Sequence, residues 1–268
     1  MIETWIGKPT EVMNTRLKVR KQSIAKWMTR VAFVTLFLET LLLLVLITEF
    51  RLIKKAERYF RNNSISTLFK DYHNNPVYHA QRKLSLSYSV SEKSTFLIGD
   101  SLVSEVQWHE FMPEIGPVVN RGIRGDTLEG VRDRIAAIAQ YKLSRVIVWV
   151  GINNLLRKQK YTAVLRDLDR LISDLKKLDC PVYFCTLAPV SKSWVKSERL
   201  NHMIESFNFG LKQRVSDSGI ELVDLHAVLV GPDMHLGNNL AYDGLHLNEN
   251  GYARVKEALL RHVGGPKS

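Results

Sequence analysis

Thr95-Phe96-Leu97-Ile98-Gly99-Asp100-Ser101-Leu102 is a short apolar run that ends abruptly in a Gly-Asp-Ser turn. The run is too brief for a helix, and the glycine and aspartate punctuate it. The stretch therefore reads as a buried strand followed by a strand-to-helix turn. The same alternation continues outward along the chain. Val118-Val119 is a second brief strand, and Ser144–Val150 is a continuous apolar run of the kind found in buried parallel strands. Tyr161–Leu178 has helical spacing, with Leu165, Leu168, Leu171, Ile172 and Leu175 on one face. Pro181–Leu187 then reads as strand, Glu198–Ser216 as helix, Ile220–Leu225 as strand and Tyr252–Val263 as a closing helix. Alternation of this kind predicts an α/β architecture, a parallel sheet between two layers of helices.

Four short segments beside these strands carry groups suited to acyl transfer by a serine: Gly99-Asp100-Ser101-Leu102, Gly122-Ile123-Arg124-Gly125-Asp126-Thr127, Gly151-Ile152-Asn153-Asn154 and Asp243-Gly244-Leu245-His246. In open parallel sheets, functional groups collect at the carboxyl ends of strands, which is where Ser101 falls. A serine hydroxyl needs an adjacent base to become a nucleophile. His246 can be that base, with Asp243, three residues earlier, accepting from the imidazole and fixing its tautomer. Backbone N–H groups and the uncharged amide of Asn153 can stabilise a developing oxyanion. Each segment also has a purely structural reading. Ser101 suits a helix N-cap, Gly125-Asp126-Thr127 a turn into a helix capped by Asp or Thr, and Asn153 a turn after a strand. Asp100 reads as a residue that orders its loop.

Taken together, in this order, the segments resemble the SGNH (GDSL) hydrolase superfamily over roughly residues 95–263. The blocks Val119–Thr127 and Trp149–Asn154 are most similar to platelet-activating-factor acetylhydrolase-like esterases, and the compact length is similar to the lysophospholipase/thioesterase-like branch. Much of the superfamily has Asp where this chain has Asn154, but the acetylhydrolase-like branch also carries Asn there. The resemblance implies a flavodoxin-like three-layer α/β/α sandwich over residues 95–268 and a catalytic triad of Ser101, Asp243 and His246. It implies an oxyanion hole made by the N–H groups of Ser101 and Gly125 and the side chain of Asn153. Gly122, in the same loop, is an alternative donor, and the match to the family block favours Gly125.

The chain has 268 residues, enough for one domain of ordinary size plus an extension. Its net charge of +11 is uneven: residues 1–60 hold 11 Lys/Arg against 5 Asp/Glu, a net +6, leaving +5 for the rest. That basic excess surrounds one apolar stretch, Val31–Phe50. A stretch of 20 residues matches a helix spanning a hydrocarbon core of ~30 Å. No small-x-small cleavage site follows, so the expectation is an uncleaved transmembrane signal anchor over 31–50, preceded by a basic segment, 1–30, and followed by a stalk or linker, 51–94. Trp27 and Phe50 suit the two interfaces. Lys and Arg flank the stretch on both sides, so the charge bias is small. It favours a cytoplasmic N-terminus and an extracytoplasmic catalytic domain. Glu39 interrupts the stretch and has two readings, a contact to a membrane partner or a second copy, or a tolerated acid in a strongly apolar helix. Ser85–Ser91 alternates in a strand-like way and reads as linker or edge strand.

The basic charge lacks the basic helix with interleaved aromatics expected of a nucleic-acid partner. No Cys/His cluster has metal-ligand spacing, and the glycine-rich segment lacks nucleotide-binding fingerprints, so neither a metal nor another cofactor is implied. Cys180 and Cys185 would lie about 16 Å apart on a strand, at ~3.3 Å per residue, and so read as two buried thiols that are not disulfide-bonded. Arg121 and Arg124 flank the glycine-rich loop and carry two readings, recognition of an anionic group such as a lipid phosphate, or plain solvation. The expected activity is hydrolysis of a small-molecule, lipid or acylated-glycan ester. The alternatives are transfer of the acyl group to an envelope glycan, or a non-catalytic role in membrane assembly.

Overall fold

A computed structural model of the chain describes residues 75–263 except 238. Between residues 26 and 54 it describes positions 26–28, 30, 33, 35–43, 45, 47–51 and 54. The chain divides into two units, Met1–Ser64 and Ile65–Ser268. In the first unit the described positions are helical and exposed, Trp27, Glu39 and Phe50 among them. Among the described residues, no helix is long and apolar enough to cross a membrane. The transmembrane helix expected over 31–50 is therefore not found among those residues, and part of that stretch lies outside them.

The described residues of the second unit form five strands: β1 (Ser94–Gly99), β2 (Val118–Gly122), β3 (Leu143–Trp149), β4 (Val182–Cys185) and β5 (Glu221–Val223). They form one sheet in the order β2-β1-β3-β4-β5, with every neighbouring pair parallel. The apolar runs of the sequence are continuous because both faces of the sheet are covered. Phe96, Ile98, Val146, Val148, Val182 and Phe184 point into one core layer. There they meet Leu128, Val131, Leu168, Leu171, Phe207 and Leu211 from the helices α4 (Leu128–Ile138), α6 (Tyr161–Leu175) and α7 (Ser197–Val215). The alternate strand residues Leu97, Ile147, Trp149, Tyr183 and Cys185 point into the other layer. That layer is closed by α2 (Ser101–Ser104), α3 (Trp108–Phe111), α8 (Leu225–Leu229) and α9 (Glu249–Val263). The period of two along each strand thus sorts side chains between two apolar layers, which gives the three-layer sandwich.

Several expectations shift by a few residues. Val118-Val119 extends to Gly122, and the closing helix begins at Glu249 in place of Tyr252. Ser85–Ser91 contains no strand. Pro76–Ser87 is a helix, α1, started by Asn75, whose side chain accepts from the N–H groups of Val77 and Tyr78. That helix packs on α4, where Tyr78 Oη donates to Gly130 O at 3.4 Å and Arg82 Nη2 donates to Asp133 O at 3.2 Å. Its polar, alternating tail hid a helix because its partner surface lies about 50 residues downstream. Both cysteines are free, but only Cys185 is buried; Cys180 is half-buried.

The carboxyl edge of the sheet is organised by Arg134, which is only 2% exposed although it is an arginine on a helix. It forms an ion pair with the fully buried Asp126. It also donates to Arg121 O at 2.7 Å and to Gly99 O at 3.5 Å, the last residue of β1. Removing one partner of a buried pair leaves an uncompensated charge, at a cost of about 3–5 kcal/mol. Arg134→Met is expected to destabilise the protein by about that amount in urea unfolding. A loss below about 0.5 kcal/mol, the scale of an ordinary surface change, would show that the pair does not hold the edge together.

Candidate active site

Four loops meet above the carboxyl ends of β1, β2 and β3. The first follows β1. Gly99 closes that strand against β3, where a Cβ would sit 2.0 Å from Trp149 O. Asp100 then caps α2, its Oδ1 accepting from Leu102 N at 3.1 Å. Ser101 is thereby held as the first residue of α2, and it is buried. The N-cap expected at Ser101 is instead Asp100, which orders the loop as its sequence reading had it. The other carboxylate oxygen of Asp100 has no hydrogen-bond partner among the described residues, and burial raises the pKa of the group to about 7.

The fourth loop, before α9, brings the base to the serine. Nε2 of His246 lies 3.0 Å from Ser101 Oγ, and Nδ1 lies 2.7 Å from Asp243 Oδ2. Asp243 is itself fixed, because Oδ1 accepts from the backbone N–H of Leu245 at 2.9 Å and of His246 at 2.8 Å. Burial alone would raise the pKa of Asp243, but these hydrogen bonds and the His246 ring outweigh it and hold the carboxyl near 2. For His246, burial works against protonation, while the Asp243 carboxylate and then the charge of Glu105 favour it. The net effect is a pKa above the usual 6.5. The imidazole is therefore poised to accept a proton at Nε2 while Nδ1–H remains directed at Asp243.

The second loop carries the expected oxyanion donors. Gly125 has φ of +77°, a conformation that costs a glycine little, and it turns the backbone here. Among the described residues, neither Ser101 N–H nor Gly125 N–H donates to a protein acceptor. Asp126 anchors the loop below, accepting from Thr127 N at 2.8 Å as well as from Arg134. Thr127 caps α4 through Gly130 N at 3.2 Å, so the capped-turn reading of this segment also holds. The third loop leads into α5 (Ile152–Leu156), where Asn153 docks on the second by donating to Asp126 O at 3.0 Å. One N–H of that amide is used in this way, and a side-chain amide carries a second. Asn154 is fully buried and structural: it accepts from Leu128 N at 3.1 Å and donates to Gln159 at 2.9 Å.

The two arginines beside the loop part company. Arg121 is buried, with its guanidinium over the rings of Phe96 and Tyr88, so neither the solvated nor the anion-binding reading describes it. Arg124 is exposed and forms an ion pair with Glu105. Glu105 and Tyr242 were not singled out from the sequence, yet both border the cluster. Oε1 of Glu105 lies 3.8 Å from His246 Nε2, Tyr242 Oη donates to Oε2 at 3.1 Å, and the Tyr242 ring stacks on the imidazole at 5.8 Å. One signal was available: Glu105 follows Ser101 by four residues, one helical turn along the same face.

The fold is similar to several solved structures. They include a Streptococcus pneumonia protein named for platelet activating factor (19% identity, 80% of this chain and 98% of that one, TM-score 0.60). A GDSL-like lipase from Bacteroides thetaiotaomicron is similar at 18% identity over 73% of this chain and 98% of that one, TM-score 0.58. An acetylxylan esterase from Geobacillus stearothermophilus is similar at 19% identity over 65% and 95%, TM-score 0.53. No curated protein sequence matches the chain.

Asn153→Ala is expected to lower kcat on an activated ester by about 10²–10³, the usual cost of one oxyanion donor. A loss below about threefold, in protein with unchanged unfolding, would remove Asn153 from the donor set.

Residues 97–254, more than half of the chain, match the GDSL-like lipase/acylhydrolase family, and the chain belongs to that family of ester-hydrolysing enzymes.

Proposed function

We propose that the chain is a serine esterase that hydrolyses carboxylic esters with short acyl groups through an acyl-enzyme on Ser101. The observation that carries this reading is the pair of contacts at His246, 3.0 Å to Ser101 Oγ and 2.7 Å to Asp243. His246 Nε2 takes the hydroxyl proton as Oγ attacks the ester carbonyl. The oxygen of the tetrahedral intermediate gathers negative charge, opposed by the N–H groups of Ser101 and Gly125 and the Asn153 amide. Collapse breaks the bond to the alcohol oxygen, which leaves with the proton returned by His246. Water, deprotonated by the same nitrogen, then attacks the acyl carbon and frees the acid and Ser101.

The short-acyl part of the reading rests on the polarity around the site. A cavity of about 520 Å³ beside the histidine loop is lined by Ser191, Lys192, Ser193, Gly237, Ala241, Tyr242, Asp243 and Gly244, small and mostly polar residues that offer a long hydrocarbon chain little apolar surface. Membrane attachment through residues 31–50 is part of the same proposal, with the catalytic unit on the extracytoplasmic side. It is supported by the apolar run itself and by the exposed helical side chains of Phe33, Phe37, Leu38, Leu41 and Leu42. Glu39 sits among them and is the residue through which a membrane partner or a second copy would be contacted.

Hydrolysis of p-nitrophenyl esters of increasing chain length tests the substrate class. Turnover is expected to fall from acetyl to palmitoyl and to be lost in Ser101→Ala. A preference for long chains would overturn the short-acyl reading. The full chain is further expected to stay with the membrane fraction after alkaline carbonate extraction, and its release would overturn the anchor.

A further inference from the structure

The contacts around Glu105 join three of the loops that make the site. Glu105 follows α2, the helix that Ser101 begins. One of its carboxylate oxygens is paired with Arg124, the residue before Gly125 in the oxyanion loop. The other accepts from Tyr242 Oη at 3.1 Å, and Tyr242 precedes Asp243 in the histidine loop. The Tyr242 ring lies nearly parallel to the imidazole, at 14°, and covers one of its faces. The carboxylate itself stands 3.8 Å from His246 Nε2, on the opposite side of the ring from Asp243. This distance is too long for a hydrogen bond, so Glu105 does not compete for the proton that Nε2 exchanges with Ser101. It is short enough for strong charge interaction in a largely buried setting.

We propose that Glu105 is a positioning residue for His246, holding the imidazole through Tyr242 and setting its basicity from the Nε2 side while Arg124 tempers that effect. The proposal rests on the esterase reading. The groups that face His246 are Asp243 from its own loop, Glu105 beyond α2, Arg124 from the oxyanion loop, Asp100 at the end of β1, and Tyr242 across the ring. When the imidazole takes the serine proton it becomes a cation between two carboxylates. Asp243 stabilises that cation and fixes the ring. Glu105 adds a second negative charge at the nitrogen that does the work, and Arg124 offsets part of it. The three-residue bridge thus couples the basicity of His246 to the position of the oxyanion loop.

The sign of each charge gives the test. Hydrolysis of p-nitrophenyl acetate requires neutral His246, so kcat/KM rises with pH through the histidine pKa. Glu105→Gln removes a charge that favours the imidazolium, and the acid limb is expected to move to lower pH by about 0.5–1 unit, less than the roughly 1–3 units of an uncompensated neighbour. Arg124→Gln frees the Glu105 carboxylate, and the limb is expected to move to higher pH. Tyr242→Phe changes no charge and is expected to alter the plateau more than the midpoint. Opposite shifts from Glu105→Gln and Arg124→Gln are what a merely structural brace would not produce. Shifts in the same direction, or loss of plateau activity with both midpoints unmoved, overturn the proposal. Because Arg124 is exposed, its variant reports even if Glu105→Gln does not fold. If hydrolysis in the same assay persists in Ser101→Ala, the esterase reading itself has failed. If it depends on Ser101 but its pH limb ignores both charges, only the role of Glu105 has failed.

Discussion

Asp126 and Arg134 form an ion pair inside the protein, and the carboxyl edge of the sheet is arranged around it. A guanidinium is expensive to bury, and here it is repaid by a carboxylate and by carbonyls at the ends of β1 and β2. The consequence is geometric. The loop after β2 cannot move without breaking the pair, and the turn after β1 is tied to the same cation through Gly99 O. Those two segments carry Gly125 and Ser101, two of the groups proposed to face the oxyanion. The pair thus fixes, from below, two surfaces that must sit within hydrogen-bond reach of one substrate atom.

Above this base the site is built mostly from backbone turned by side chains. Asp100 starts the helix that holds Ser101, Thr127 starts the helix behind the oxyanion loop, and Asp243 organises its own loop through two N–H groups. Arg157 adds a strap by donating to Gly125 O at 2.7 Å, which holds that peptide from its carbonyl side. Rigid preorganisation of this kind suits oxyanion stabilisation, because the dipoles are in place before charge develops. Electrostatically the histidine lies between Asp243 and Glu105, with Arg124 and Tyr242 setting how strongly the second carboxylate acts.

Much of this was legible in the sequence, for identifiable reasons. The strands showed themselves because burial on both faces demands unbroken apolar runs, as in Phe96–Ile98 and Val146–Val150. Ser101, Gly125 and Asn153 could be named because each follows a strand run in a short, chemically dense segment, and Asp243 and His246 because of their three-residue spacing. What escaped depends on contacts far along the chain. Helix α1 needs Gly130 and Asp133 to hold it. Arg134 looks like one more polar helix position until Asp126 folds over it. Arg121 looks solvated until Phe96 and Tyr88 cover it. Tyr242 meets Glu105 across 137 residues, a distance that no local pattern can report.

The central claim is that Ser101 is a nucleophile activated by His246. Incubation of the full chain with a fluorophosphonate, followed by peptide mass spectrometry, tests it most directly. A covalent phosphonate is expected on Ser101, formed stoichiometrically in the wild type and abolished by His246→Ala in folded protein. Labelling at another serine, or none at all in folded wild type, would contradict it.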